Sequence, residues 1–351
     1  MIKVMVPHMP TADDLLPLLR RIDNAKQYTN RGPLVVELER VLTKLVGAPA
    51  ITVGNGTVAL ELALRALSLP PGSGVLVPSV TFAASGLAIA NAGLRPVLAD
   101  VDQDTWQLTA KTAAWAAERC LISAAMPVAA FGMPVAVEPW ERFAEETGLP
   151  VVIDAAGAIS EQCVSTASDV LTAFSLHATK FVGAGEGGFI ATHDHAMRAR
   201  LLGLSTFGRG GTNAKLSEYH AAVALASLCV YRMDARMARG SEIATAYADG
   251  LAALPVKLQR VPSASATLLP VLLPTRVGAD AVQRGLAARR IETKRWYLPF
   301  LDELEQFAGC ACEALFVTQN LRDGLLGLPF HTSMSVHDVR TVCRELSWII
   351  Q

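Results

Sequence analysis

Apolar and polar residues follow two periods along the chain, and changes of period separate predicted helices from predicted strands. Between residues 37 and 46, apolar residues recur at helical spacing, and Gly47 is expected to end this helix. Residues 50 to 53 form a short apolar run typical of a buried strand. This run leads through a glycine-rich turn into a helical run of alanine and leucine from 58 to 67. The order of strand, turn and helix then repeats.

Further apolar runs extend this alternation over the first two-thirds of the chain. Strands are expected at 75–78, 96–100, 120–128, 151–154, 173–176 and 188–192, with helices between several of them, at about 83–93 and at 138–147. Such alternation predicts an α/β fold with a mostly parallel sheet, whose ligands bind at the carboxyl ends of the strands. The pattern is weaker after residue 236, where a helix at 239–254, a strand at 267–273 and helices at 279–289 and from 336 are expected. We expect a large domain over residues 1–235 and a smaller α+β domain over residues 236–351.

Composition favours a substantial core and gives no sign of a polyanionic partner. Of the 351 residues 51% are apolar, and 31 basic residues balance 32 acidic ones. The chain therefore lacks the excess positive charge that attracts nucleic acid or anionic lipid. The most apolar stretches, 83–92 and 221–230, are too short to span a bilayer and are expected to be buried helices. Low charge with high apolar content also fits burial against a second copy, so a homodimer is expected.

The cysteines and the amino terminus give no sign of a metal site or of secretion. The six cysteines show neither paired Cys-x-x-Cys steps nor zinc-type spacing with histidine, and they are interpreted as reduced thiols. The first residues lack a basic start followed by a long apolar run and a cleavage site. The cytoplasm is the expected location.

A lysine downstream of an aspartate carries the most informative chemistry. Asp154 ends the predicted strand 151–154, and Lys180 lies between the next two predicted strands. A lysine can hold pyridoxal phosphate (PLP) as a Schiff base, and an aspartate can keep the cofactor's ring nitrogen protonated. Only a neutral amine attacks an aldehyde, so such a lysine needs a pocket poor in water. Taken alone, each is more often a surface lysine or a helix cap, whereas the ordered pair suggests PLP chemistry.

Other residues near predicted strand ends are candidates for holding this cofactor. Gly56 and Thr57 lie in a glycine-rich turn at a helix amino terminus, which is a ready anion site. Phe82 follows a strand, where its ring can stack on a flat cofactor or join the core. His177 lies close to Lys180 and is interpreted as structural, with assistance to proton transfer as the alternative.

Residues 183–188, GAGEGG, match the G-x-G-x-x-G dinucleotide pattern and raise the alternative of a nicotinamide-dependent oxidoreductase. A dinucleotide loop follows a strand and opens a helix. This run is followed instead by residues that predict a strand and a turn. We interpret it as a tight connection that brings backbone close to whatever Lys180 holds.

Ordered motifs over the first two-thirds of the chain resemble the DegT-type nucleotide-sugar aminotransferases, which have the aspartate aminotransferase fold. The matching segments are 28–34, 54–60, 77–82, 96–102, 154–156, 175–180, 185–188 and 213–222. The carboxyl third matches weakly, through 296–299 and 328–331. The resemblance implies a PLP-dependent transferase of fold type I.

The resemblance also implies a role for each residue of a candidate site. The catalytic pair is Lys180, bound to PLP, and Asp154, paired with the pyridine nitrogen. Phe82 stacks on the ring, and Gly56, Thr57 and Ser175 resemble phosphate ligands. Asn213 resembles the asparagine that reaches the cofactor phosphate of the other subunit, which implies a homodimer with shared active sites.

By this resemblance, the enzyme moves an amino group from an amino acid, expected to be L-glutamate, to a nucleotide-linked keto-sugar such as a dTDP-4-keto-6-deoxyhexose. A catalytically inactive PLP-binding regulator is the alternative from another class. A sugar dehydratase of the same fold would resemble this chain with histidine in place of Lys180.

Two positions depart from the family pattern. Gly157 stands where the family usually carries glutamine or histidine near the cofactor's phenolic oxygen, so a side-chain hydrogen bond is expected to be missing. A small residue here, with the sequence 213–220, resembles the branch that acts on 4-keto-6-deoxyhexoses. Ala130 stands where many members carry histidine or another polar residue, which predicts different substrate contacts.

Overall fold

The computed structural model of the protein describes residues 1–208, 210–260 and 263–351, without the side chains of 230–232. Its helices are α1 (Ala12–Ala25), α2 (Pro33–Val46), α3 (Gly56–Ala66), α4 (Ala83–Asn91), α5 (Ala110–Arg119), α6 (Glu138–Thr147), α7 (His195–Ser205), α8 (Glu218–Ser227), α9 (Val230–Leu251), α10 (Ala279–Ala288), α11 (Phe316–Gly324) and α12 (Val336–Ile350). Its strands are β1 (Ala50–Val53), β2 (Gly74–Pro78), β3 (Arg95–Ala99), β4 (Ala124–Ala125), β5 (Val151–Asp154), β6 (Val170–Ser175), β7 (Gly188–Ala191), β8 (Lys257–Leu258), β9 (Leu269–Leu272) and β10 (Leu325–Leu328). Within the described residues, every helix falls short of the length and apolarity that crossing a membrane requires.

Seven strands form one sheet in the order β1-β7-β6-β5-β4-β2-β3. All run parallel except β7, which is antiparallel to both β1 and β6. Helices α2, α5, α6 and α8 contribute to an apolar cluster on one face, and α3, α4 and α7 to a cluster on the other. Sheets covered on both faces have strands that are apolar throughout, which is why these strands read as continuous apolar runs. The predicted α/β fold with a mostly parallel sheet is confirmed.

The strand predicted over 120–128 is wrong in extent. Only Ala124–Ala125 pairs as a strand, and Val128 forms an isolated bridge with Asp154. The chain then enters a 3-10 turn over Ala130–Gly132, where Phe131 has φ 56° and Gly132 has φ 84°. Apolar character alone did not reveal that the backbone turns here.

The apolar stretch 221–230 is not one helix. Helix α8 ends at Ser227, and Val230 begins α9. Ala221, Ala222 and Ala224 are completely buried within this one chain, in the cluster that also contains α2. The apolar face of α8 is therefore already covered and is not free for a second copy.

The carboxyl-terminal part has its own antiparallel sheet in the order β10-β9-β8 and its own apolar cluster around α9, α10 and α12. The boundary predicted between residues 235 and 236 falls within α9, and the division there stays a prediction. After β9 and α10, residues 301–307 return to the large sheet, where Leu301 and Phe307 pack in the cluster of α3 and α4. This crossing brings a carboxyl-terminal segment close to the ends of the large-sheet strands.

Candidate active site

The carboxyl ends of β1, β2, β5 and β6 point to the same edge of the large sheet, because these strands are parallel. Four predicted site residues lie at or just after these ends: Gly56, Phe82, Asp154 and Ser175. Ligands of open α/β sheets bind at this edge. The topology thus brings together residues that are far apart in the sequence.

Asp154 is the last residue of β5, and its carboxylate is buried. Oδ2 accepts a hydrogen bond from Ser85 Oγ at 2.7 Å, and Oδ1 accepts one from the Ala156 backbone N–H at 3.1 Å. Burial raises the pKa of Asp154, while these two hydrogen bonds and the charge of Lys180 act in the opposite direction. A desolvated carboxylate held in this way gains most from a cationic partner placed against it.

Lys180 follows β6 in the segment that returns to β7, and its backbone N–H bonds to the His177 carbonyl oxygen at 2.9 Å. Burial lowers the pKa of the Lys180 amine, and the nearby charge of Asp154 partly offsets this shift. A lowered pKa increases the fraction of neutral amine near pH 7. The structure therefore gives Lys180 the environment that attack on an aldehyde requires.

Gly56 and Ser175 meet at the amino terminus of α3. A Cβ placed on Gly56 would lie 2.8 Å from the Ser175 Cβ, so only glycine fits beside this serine. Asn55 caps the helix by accepting a hydrogen bond from the Val58 N–H at 2.9 Å, and Thr57 lies in the first turn. The free N–H groups of a helix start and a neighbouring hydroxyl form a small cradle for an anion. The predicted phosphate ligands of this chain thus lie together.

The glycine run 183–188 connects β6 to β7 rather than opening a helix. A Cβ on Gly188 would lie 2.6 Å from the Asn55 carbonyl carbon and oxygen, so glycine lets β7 approach the turn before α3. Without a following helix, this run lacks the anion-binding helix start that a dinucleotide loop supplies. Its glycines serve close backbone packing beside the cradle.

Phe82 stands at the N-cap position of α4, and the residue is 61% exposed, so its ring remains available to stack on a flat molecule. Its edge meets the ring of Tyr297 at a centroid distance of 6.2 Å. Tyr297 in turn stacks on Phe131 at 4.7 Å with 3° between the ring planes. The negative charge of Asp154 contributes to the raised pKa of Tyr297, so this aromatic group lies within electrostatic range of the carboxylate.

His177 is exposed, and its Nδ1 lies 2.9 Å from the Thr179 hydroxyl. Its Nε2 lies 3.9 Å from Glu186 Oε1. These contacts stay within the connection between β6 and β7 and agree with the structural interpretation of this histidine.

Asn213 is exposed and contacts none of the other predicted site residues through a described hydrogen bond of its side chain. Its Oδ1 accepts a hydrogen bond from Lys215 Nζ at 2.5 Å, and Lys215 also lies 4.0 Å from the ring of the exposed Phe207. The next residue, Ala214, anchors the segment by accepting a hydrogen bond from the Gly54 N–H at 2.8 Å. The anchored segment therefore presents the Asn213 side chain to the outside of this chain.

The two departures from the family pattern have different surroundings. A Cβ on Gly157 would lie 3.2 Å from both N and Cα of Gly132, so the turn 130–132 occupies the space beside it. Ala130 is buried in an apolar cluster with Phe131 and Trp106, where a polar side chain would lack a partner. The alanine is thus explained by packing rather than by substrate contact.

Two residues near the site and one that ties two helices together were not assigned a role from the sequence. Ser85 supports Asp154 and itself lies 2.8 Å from the Thr81 hydroxyl; a polar residue inside the apolar stretch 83–92 was its signal. Tyr297 comes from the weakly matching carboxyl third. Glu218 is completely buried, and its carboxylate accepts hydrogen bonds from the Leu34 and Val35 N–H groups at the start of α2.

Comparison with known proteins places these features in a family. The GDP-perosamine synthase of Caulobacter vibrioides is 30% identical over 342 residues, covering 91% of this chain and 91% of that protein. The structure of DesI, determined in the presence of its TDP-sugar product, is 32% identical with a TM-score of 0.88, over 99% of this chain and 92% of that chain. A Bacillus cereus protein assigned as a PLP-dependent aminotransferase is 27% identical with a TM-score of 0.89, over 98% and 99% of the two chains. The model of the DegT/DnrJ/EryC1/StrS aminotransferase family matches residues 11–347, and the chain belongs to this family.

Proposed function

We propose that this protein transfers an amino group from an amino acid, L-glutamate, to a keto-sugar linked to a nucleotide, with PLP as its cofactor. Lys180 and Asp154 are the catalytic residues. The family and its named sugar aminotransferases support the reaction and the cofactor. They give no support to an inactive regulator or to an oxidoreductase.

The residues of the site fit PLP in three separate ways. A buried carboxylate, Asp154, suits a protonated ring nitrogen, and a lysine of lowered pKa suits an aldehyde. The cradle of Gly56 and Ser175 at the start of α3 suits a phosphate. When bound, PLP supplies an aldehyde that bonds to amines and a protonated ring that accepts the electron pair of a carbon losing its proton.

Lys180 acts first as a nucleophile and then as an acid and base. With PLP bound, its Nζ would bond to the cofactor aldehyde as the neutral amine, the form that burial favours. When the donor amino acid is bonded to the cofactor in its place, Nζ would accept the proton of the donor α-carbon and carry it to the cofactor. Such positioned proton transfer typically contributes about 10²–10⁴-fold to the rate.

Asp154 holds the proton on the ring nitrogen through both halves of the reaction. The hydrogen bonds from Ser85 and the Ala156 N–H fix the carboxylate and favour its charged form against the effect of burial. Because Thr81 Oγ1 lies 2.8 Å from Ser85 Oγ, and Ser85 donates its proton to Asp154, Thr81 donates to Ser85. This chain of hydroxyls orients the carboxylate before the cofactor arrives.

The substrate class follows from the relatives and from the sequence branch. DesI has a TDP-sugar product, and the Caulobacter protein makes GDP-perosamine. Proteins similar to this chain therefore act on sugars carried by two different nucleotides. Gly157 and residues 213–220 favour a 4-keto-6-deoxyhexose as the sugar, such as one carried on dTDP.

The active sites are shared in a homodimer, with Asn213 of each subunit serving the phosphate cradle of the other. Its exposed side chain supports this proposal, because the segment is anchored through Ala214 while Asn213 remains accessible to a second chain. Exposed apolar side chains on neighbouring elements offer a contact surface: Tyr28, Val36, Phe207 and Tyr219.

The observation that carries the proposal is the buried carboxylate of Asp154 at the end of β5, within electrostatic range of Lys180, whose pKa is lowered by burial. To test the function, the PLP-loaded protein is mixed with L-glutamate, and the loss of its visible absorbance band is recorded. A dTDP-4-keto-6-deoxyhexose or its GDP-linked counterpart is then added. The band should return with a nucleotide-linked keto-sugar, and comparison of the two sugars shows which nucleotide the enzyme prefers.

A keto-sugar without a nucleotide is the matched control and should restore the band poorly. No change with any amino acid would contradict transamination and favour an inactive PLP-binding protein. Binding of a nicotinamide dinucleotide instead of PLP would favour an oxidoreductase.

A further inference from the structure

Tyr297 lies near the candidate site, and its hydroxyl group has no role in the reaction described so far. Its hydroxyl oxygen accepts a hydrogen bond from the Phe131 N–H at 3.1 Å. Among the described residues, this is the one hydrogen bond recorded for the hydroxyl, so its own proton is not committed. A tyrosine hydroxyl in such a place normally finds an acceptor.

The aromatic contacts hold this hydroxyl in a fixed place. The Tyr297 ring stacks flat on Phe131 and meets the edge of Phe82, the residue proposed to cover the cofactor ring. The turn that follows Phe131 is fastened as well, because Arg260 donates a hydrogen bond to the Gly132 carbonyl oxygen at 2.8 Å. Phe82, Phe131 and the turn therefore fix the position of the phenol relative to the cofactor face.

The Tyr297 hydroxyl binds the turn that packs against Gly157. The Gly132 N and Cα lie 3.2 Å from where a Cβ of residue 157 would be, and Phe131, whose N–H binds the Tyr297 hydroxyl, directly precedes Gly132. Residue 157 has no side chain to contribute a donor. It lies three residues after Asp154, the partner of the ring nitrogen.

We propose that the Tyr297 hydroxyl donates a hydrogen bond to the phenolic oxygen of bound PLP, supplying from the carboxyl-terminal part of the chain a donor that residue 157 lacks. Tyr297 is then a further catalytic residue, because it touches the cofactor. Burial and the charge of Asp154 raise the pKa of Tyr297, so the phenol keeps its proton and remains a donor throughout the working pH range. The inference rests on the proposed use of PLP and not on the identity of the sugar.

The test uses the PLP-loaded protein and the pH dependence of its visible spectrum, without any sugar. A donated hydrogen bond stabilises the negative charge on the phenolic oxygen, and so lowers the pH at which the proton shared with the Lys180 nitrogen is lost. Tyr297→Phe keeps both ring contacts and removes the hydroxyl. Its spectral midpoint should rise by about one to two pH units, the size expected for one hydrogen bond to a charged oxygen.

Tyr247→Phe is the matched control, because Tyr247 is also buried, stacks on Phe330 and donates its hydroxyl proton to the Pro329 carbonyl oxygen. It lies in the carboxyl-terminal core, and its loss should leave the midpoint unchanged. A Tyr297→Phe protein with a lower melting temperature and an unchanged midpoint would show that the hydroxyl only holds the turn, and would overturn the proposal.

The two proposals fail in different ways. If Tyr297→Phe leaves the midpoint unchanged while keto-sugar nucleotides restore the band, only this inference is wrong. If the midpoint rises as expected and no keto-sugar nucleotide restores the band, the role of Tyr297 holds and the substrate proposal fails. A parent protein that takes up no PLP would overturn both.

Discussion

Burial shifts the pKa values of the two proposed catalytic residues in opposite directions. The same desolvation lowers the pKa of Lys180 and raises that of Asp154, and each charge partly restores the other. A lysine and an aspartate alone in water would both be fully charged near pH 7. The pocket weakens this preference and leaves both groups ready to exchange protons with a bound molecule.

Replacing Lys180 tests where the cofactor is attached. Lys180→Ala should lose the adduct that borohydride reduction fixes on the protein, and all transamination with it, because no amine remains to attack the aldehyde. Peptide mass mapping after reduction identifies the modified residue, and circular dichroism checks the fold. Finding the reduced cofactor on another lysine of the same chain would show the assignment to be wrong.

Replacing Asp154 separates binding of the cofactor from its activation. Asp154→Asn should retain PLP through the phosphate cradle and lose activity by several orders of magnitude, because a neutral amide does not hold the ring nitrogen protonated. Single-turnover absorbance with L-glutamate measures the loss, and bound PLP is measured after denaturation. Turnover near that of the parent protein would exclude the proposed role.

For single residues, the sequence revealed which candidate site residues are present and in what order, but not which residues lie next to them in the fold. Asp154 and Lys180 were predicted as a pair because they stand at recognisable places in the alternation of strands and helices. Tyr297 was not, because non-local packing of a carboxyl-terminal segment brings it to the site. The cofactor and the family are confirmed. The roles of individual residues stay predictions.

Secondary-structure elements depend on buried polar contacts that pattern analysis does not detect. Glu218 begins α8 and lies wholly buried, where it accepts hydrogen bonds at 2.7 and 3.0 Å from two N–H groups at the start of α2. A negative group at a helix amino terminus satisfies free donors and interacts favourably with the helix dipole. The segment 213–222, which carried part of the family resemblance, thus includes a structural tie between two helices.

This tie predicts a measurable loss of stability. Glu218→Gln keeps the shape but turns one acceptor into a donor facing an N–H group, so the free energy of unfolding should fall by about 1–3 kcal/mol. Urea unfolding followed by circular dichroism measures it. Glu242→Gln, which removes an exposed ion pair with Arg239 on α9, is the control and should change stability by less than about 1 kcal/mol. Equal effects of the two substitutions would contradict the capping role.

Element prediction succeeded where an apolar period was long and failed where tertiary contacts decide. Helices α6 and α12 and strand β5 begin where the sequence indicates. The run 120–128 is apolar because the turn 130–132 and its approach are buried, not because the whole run pairs as a strand. Likewise, residues 221–230 read as one apolar stretch, although α8 ends at Ser227 and Cys229, just before α9, is exposed.

At the scale of the whole molecule, the proposed dimer must use a surface other than the alanine face of α8. That face is covered by the same chain, whereas Tyr28 and Tyr219 stack on each other at 6.3 Å and remain exposed. Apolar rings exposed near Asn213 are the side chains that a second copy would bury. An interface of about 2,000–5,000 Å² is typical of obligate dimers.

Subunit mixing tests the shared site. The experiment mixes Lys180→Ala chains with Asn213→Ala chains to form heterodimers. If Asn213 serves the site of the partner, one site of the heterodimer carries both substitutions, and the other has native Lys180 and native Asn213. Activity should therefore rise after subunit exchange, measured against each parent variant alone. Stable mixed dimers without a gain would mean that Asn213 serves its own chain, and a fully active monomer would exclude the shared site.

The position of β7 between β1 and β6 has a consequence for how the protein is made on the ribosome. Strand β1 is synthesised early, yet the register pairs Val53 with Gly188, and Gly188 packs on the Asn55 backbone. The phosphate cradle needs Ser175 as well, so it cannot close until the chain has emerged past residue 188. Contacts between such distant positions slow folding and leave strand edges exposed in the meantime. Nascent chains that stop before residue 188 should consequently depend on chaperones and fail to retain PLP. PLP should be retained only once β7 has been synthesised.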